Sequence, residues 1–179
     1  MAGADSAVAR KGTFSPADGI TLLRIPLAIA FPLVHAPAIR LAILFLAGAT
    51  DLGDGFVARR FGGSRFGAVL DPIADKLFVA IAFGVVLASG ALTWYEVVGV
   101  LARDIIATAA FFITIATGRA TAVPARVGGK AVTVLQMLTL VVFVLNWPHL
   151  QSLAWATAAV ALYAIYDYNQ PFFHKLRTR

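Results

Sequence analysis

The stretch DLGDGFVARRFGGSRFGAVLDPIADK, residues 51–76, sets the terms for the whole chain. It carries Asp51, Asp54, Asp71 and Asp75, four of the nine acidic residues in a sequence of 179. On helices, positions 51, 54, 55 and 58 share one face, and so do positions 67, 71 and 75. Two antiparallel helices joined through the FGGSRF turn bring those faces together. Four carboxylates then face each other across a groove walled by Gly55, Ala58 and Gly67.

The surroundings make that concentration of charge unusual. The chain is 60% hydrophobic and 13% charged, with a mean hydropathy of +0.83. Soluble domains are closer to about half apolar and about a quarter charged, so lipid is part of the solvent. A hydrocarbon core about 30 Å thick is crossed by roughly 20 helical residues. Six segments qualify, at 20–35, 38–58, 67–89, 94–117, 131–147 and 150–168. The expected fold is an all-α integral membrane bundle of six transmembrane helices. Residues 1–17 precede it as a juxtamembrane segment that could lie on the surface as a short helix, and 18–179 form the six-helix domain.

Basic residues orient the bundle. Arg10 and Lys11 precede the first segment, and Arg59, Arg60 and Arg65 lie between the second and third. Arg119, Arg126 and Lys130 lie between the fourth and fifth, and Lys175, Arg177 and Arg179 follow the sixth. The other connections hold only Arg40. Positive residues favour the cytoplasmic side, so both termini and the aspartate-rich turn are expected there. The net charge of +6 is not gathered into one run, which argues for anionic headgroups rather than nucleic acid as partner. The absence of cysteine excludes disulfides, thiolate metal sites and Cys nucleophiles.

Close carboxylates repel one another, so protons or cations must fill the gap between them. Oxygen-only ligands select hard ions such as Mg²⁺ or Mn²⁺, and two such ions clamp a diphosphate well. A solvated turn, with the aspartates serving only as ion-pair partners of Arg59, Arg60, Arg65 and Lys76, is the plainer alternative. A cation pathway is another, although transporters place acids nearer mid-bilayer on paired broken helices. A prenyltransferase clamping a diphosphate is a third, with more helices expected than this length holds.

The run Asp51-x2-Asp54-Gly55-x2-Ala58-Arg59-x7-Gly67-x3-Asp71-x3-Asp75 resembles the signature of the CDP-alcohol phosphotransferases. Every fixed position matches, and the spacer before Gly67 is one residue shorter than commonly written. Asp18-x2-Thr21-x2-Arg24 is similar to the family's first-helix NxxTxxR, with Asp for Asn, and GGKAVTVLQ at 128–136 to its GKxKTxxQ. The resemblance implies transfer of a phosphatidyl group from CDP-diacylglycerol to an alcohol, with release of CMP. It implies that Asp51, Asp54, Asp71 and Asp75 carry two divalent ions, Mg²⁺ or Mn²⁺, and that Asp75 is also the general base. Thr21, Arg24, Asp54, Gly55, Ala58, Arg59 and Gly67 would line the CDP moiety. For Arg24 the alternative is snorkelling to the interface.

The implied acceptor is glycerol 3-phosphate, with Arg126, Lys130 and Arg103 as its candidate ligands; ordinary positive-inside anchoring is the plainer role for Arg126 and Lys130. Phosphatidylglycerol is the alternative acceptor. It is favoured by LARDIIATAAFFI, where Phe111 stands at a position that glycerol 3-phosphate-using branches usually fill with arginine. The resemblance further implies a homodimer in a bacterial-type cytoplasmic membrane, with the site on its inner face.

Overall fold

The computed structural model describes residues 15–61, 64, 67–117 and 127–177, with the side chains at 55, 58–59, 61, 68, 115, 127–128 and 168–177 excepted. Among the described residues the structure is all helical: α1 (Pro16–Leu22), α2 (Arg24–Leu33), α3 (Pro37–Phe61), α4 (Gly67–Ala88), α5 (Trp94–Thr117), α6 (Val127–Val144) and α7 (Leu150–Arg177). The segment expected at 20–35 thus starts earlier and comes in two pieces. Ser15 caps α1, receiving a bond from the Ala17 amide, while its own amide donates to Asp18 Oδ2 at 2.8 Å; Pro16 fills the first helical position. The chain turns at Leu23 while staying in right-handed helical geometry. Pro26 accounts for the break, because it has no N–H to return to Leu22.

The remaining ends follow local chemistry. Gly90, at φ +72°, closes α4, and Asn146, at φ 50°, closes α6 with a Trp147 N–H to Val142 carbonyl bond of 3.1 Å. Thr93 and Glu96 cap α5, where Glu96 Oε2 accepts from the Thr93 amide at 2.8 Å and from its hydroxyl at 2.7 Å. Glu96 Oε1 also accepts from Gln151 at 2.9 Å, tying α5 to α7. Arg40 donates to the Val34 carbonyl at 2.6 Å and lies 5.5 Å from the Phe31 ring centroid, so its charge caps α2.

Packing runs α1 on α3 and α4, α2 on α4, and α5 and α6 on α7. Phe31, Phe78, Phe83, Val86, Val100 and Leu140 are buried at the centre. Thr139 and Thr157 share a buried 3.1 Å hydroxyl contact between α6 and α7. Many large apolar side chains face outward, including Phe45 and Leu52, each 76% exposed. Pro16–Leu33 and Trp94–Thr114 are long and apolar enough to cross a membrane.

Candidate functional site

Three helices meet where α1, α3 and α4 pack. The Thr21 hydroxyl lies 3.0 Å from Asp54 Oδ2 on α3 and 2.6 Å from Asp71 Oδ1 on α4, joining the two acidic faces. Arg24, at the start of α2, is 2% exposed. Its Nη2 is bonded to Asp54 and lies 3.5 Å from Asp51 Oδ1. Snorkelling is therefore not what Arg24 does: a guanidinium this buried needs its anions.

Asp51 remains the open member, with 46% of its side chain exposed. Asp75, one turn beyond Asp71 on α4, is turned toward Lys76, its Oδ2 lying 3.1 Å from Nζ. Asp75 lies four residues after Asp71 and so keeps to the same face of α4. The four acids are therefore gathered, but not pooled on one point. Asp51, Asp54 and Asp71 surround Thr21 and Arg24, and Asp75 stands beside them on Lys76. Among the described residues, no three acidic or histidine side chains converge as a ready metal site. The reason is electrostatic, since Arg24 and Lys76 supply the positive charge that close carboxylates require. The donors themselves are carboxylate and hydroxyl oxygens, the chemistry that hard divalent cations prefer, so the residues suit such ions in kind.

Gly67 has a role that spacing did not disclose. The carboxylate of Asp18, itself buried, occupies the place a Cβ at Gly67 would take. Ser64 completes this latch, donating to Asp18 Oδ2 at 2.6 Å and accepting from the Gly67 amide at 2.7 Å. The small residue thus admits Asp18 of α1, and the start of α4 is fixed above the Thr21 junction. Ser64 was not among the expected residues; its place in a turn before a helix is the signal for it.

Gly55, Ala58 and Arg59 lie on α3, with side chains outside the described set, and Arg126 lies outside the described residues altogether. Lys130 is exposed on α6. Arg103 is on α5, where Nη1 lies 3.3 Å from Asp104 Oδ1 and the guanidinium fills the place of a Cβ at Gly129. That contact sets Arg103 against the first turn of α6, near Lys130. Lys76, Asp104 and Gln136 form a further polar chain behind Asp75 that the aspartate spacing alone did not reveal.

Known proteins resemble this chain in sequence. A family model described as CDP-alcohol phosphatidyltransferase matches residues 14–165. A Pectobacterium atrosepticum protein named CDP-diacylglycerol–glycerol-3-phosphate 3-phosphatidyltransferase is 37% identical over 138 residues, covering 72% of this chain and 74% of its own. A Yersinia pestis protein of the same name is 37% identical over 132 residues, with 68% and 72% covered. One from Sodalis glossinidius, again so named, is 40% identical over 119 residues, with 64% and 65% covered. The family match takes in α1 through most of α7 and every acid of the Thr21–Arg24 junction, and on that ground the chain belongs to the CDP-alcohol phosphatidyltransferase family.

Proposed function

We propose that this protein transfers the phosphatidyl group of CDP-diacylglycerol to glycerol 3-phosphate and releases CMP. The observation that carries the reading is the Thr21 hydroxyl bridging Asp54 and Asp71, which brings the acids of α3 and α4 to one junction. The names of the relatives support the choice of acceptor. Phosphatidylglycerol, which the α5 segment around Phe111 suggested, has no such support.

In this reading Asp51, Asp54, Asp71 and Asp75 hold two divalent ions, Mg²⁺ or Mn²⁺. Bound there, the ions would neutralise the diphosphate and stabilise the leaving phosphate. Thr21, Arg24, Gly55, Ala58, Arg59 and Gly67 bind the CDP portion, with Thr21 and Arg24 also fixing Asp54. Asp75 takes the proton of the acceptor hydroxyl as that oxygen bonds to the β-phosphorus. The bond from the β-phosphorus to the bridging oxygen breaks, and CMP departs with the electron pair. Arg103, Arg126 and Lys130 offer positive charge to the phosphate of the acceptor.

The setting follows from the donor, whose acyl chains stay in lipid while its diphosphate meets ions from the cytosol. In the same reading the chain crosses the membrane six times, counting α1 and α2 as one span, with both termini and the acidic junction at the cytoplasmic face; the alternation of basic residues along the sequence supports this. A homodimer is part of the same proposal by family likeness. The test is purified protein with CDP-diacylglycerol, Mg²⁺ or Mn²⁺, and glycerol 3-phosphate or phosphatidylglycerol, read by lipid mass spectrometry. Phosphatidylglycerophosphate and CMP are expected, and Asp75→Asn should lower turnover about 10²- to 10⁴-fold. A product from phosphatidylglycerol alone would overturn the acceptor, and no CMP with either would overturn the reaction.

A further inference from the structure

Lys76 stands between two carboxylates on different helices. Its Nζ lies 2.7 Å from Asp104 Oδ1 on α5 and 3.1 Å from Asp75 Oδ2 on its own helix. Asp104 is the more firmly held of the two acids. It is buried, with 6% of its side chain exposed, and Gln136 Nε2 donates to its Oδ2 at 2.6 Å while Arg103 Nη1 donates to Oδ1 at 3.3 Å. Gln136 also donates to the Val100 carbonyl at 3.0 Å, so it turns its NH₂ group toward two acceptors and leaves its Oε1 unbonded. Asp104 therefore accepts on both oxygens, as an ionised carboxylate does.

An ammonium resting on Asp75 competes there with any other cation. It occupies a carboxylate oxygen that a divalent cation would need, and its charge repels such a cation. We infer that Asp104 is a positioning residue whose task is to hold Lys76 away from Asp75 when divalent ions and the acceptor engage that acid. The inference rests on Asp75 serving as base and ion ligand. Lys76 is close enough to both acids to shift between them by a small movement of its terminal atoms. Once Asp75 takes up other positive charge, Asp104 becomes the better partner, and α5 and α6 supply the donors that keep it in place. Ile73, Leu77, Leu101 and Ile105 line the same open groove as Lys76 and Asp104 and give the pair an apolar wall on that side.

The experiment uses the full chain in lipid nanodiscs and measures Mn²⁺-dependent binding of CDP by calorimetry, with CMP release as a second readout. Asp104→Asn leaves Lys76 with Asp75 alone, so the half-saturating Mn²⁺ concentration should rise about tenfold while kcat at saturating Mn²⁺ recovers, within the coupling expected of touching charges. Adding Lys76→Met should bring half-saturation back to within about threefold of the original protein. Lys76→Met by itself should lower it about two- to threefold. A purely structural Asp104 predicts instead a loss of kcat that excess Mn²⁺ does not repair and that Lys76→Met does not suppress, and either result overturns the inference. Should Asp104→Asn fail to stay monodisperse, Lys76→Met carries the test, and weaker Mn²⁺–CDP binding in it is the contrary result. An unsubstituted protein that shows no Mn²⁺-dependent CDP binding would instead remove the transferase reading beneath.

Discussion

Arg24 shows how a single buried charge organises a site. Its guanidinium meets Asp54 and Asp51, and its Nε has no hydrogen-bond partner in the interior. Removing it in Arg24→Ala takes the guanidinium from Asp54 and leaves it the Thr21 hydroxyl, and breaking a buried pair costs about 3–5 kcal/mol. The unfolding temperature in detergent should fall clearly, and CDP binding should be lost with it. Arg24→Lys offers a point charge in place of a planar fork and should recover only part of that stability. An Arg24→Ala protein as heat-stable as the original would mean that the ion pair contributes nothing to the fold.

At the scale of elements, α1 acts as a fastener for α3 and α4. Ser15, Asp18, Thr21 and Arg24 recur every third residue, and the first three serve the cap, the Gly67 latch and the Asp54–Asp71 bridge. Ser64→Ala should leave Asp18 and the Gly67 amide each short of a partner, at about 1–3 kcal/mol. Hydrogen exchange should show the loss as faster exchange at the start of α4, with the far end of that helix unaffected. Unchanged protection there would mean that the latch does not hold α4.

The sequence made the helices themselves legible and their partners much less so. Apolar runs located α5 at 94–117 and α3 and α4 within a few residues. Ser15-Pro16-x-Asp18 is the capping signal that starts the first helix ahead of the apolar run at 20–35. The apolar segment expected at 131–147 begins earlier, at Val127, so the helix includes Gly128 and Gly129, and at Gly129 the missing side chain gives room to Arg103. Aspartate spacing correctly put Asp54 and Asp71 on facing surfaces. It could not reveal that Arg24 neutralises Asp54 or that Lys76 reaches Asp104, because these pairings join residues about 30 positions apart and depend on tertiary packing.

For the whole molecule, the exposed apolar surface and the alternation of charge belong together. In the proposed topology Arg40, in the first turn of α3, faces away from the basic side, and it is engaged by the Val34 carbonyl and Phe31. The chain contains no cysteine, so single cysteines report position without background. In right-side-out spheroplasts, Ser89→Cys should react with a membrane-impermeant maleimide, whereas Arg60→Cys should react only after the membrane is opened. Equal labelling of both before lysis would refute the proposed orientation.

The break at Leu23 and the cap at Ser15 leave α1 a lever of only seven residues, Pro16–Leu22, bearing much of what fixes the acidic junction. A bulky purification handle fused directly ahead of Ser15 would pull on that lever, whereas one at the carboxyl end would not. Anyone preparing the protein for assay should tether it from the far terminus, or risk mistaking a disturbed N-terminal anchor for an inactive catalyst.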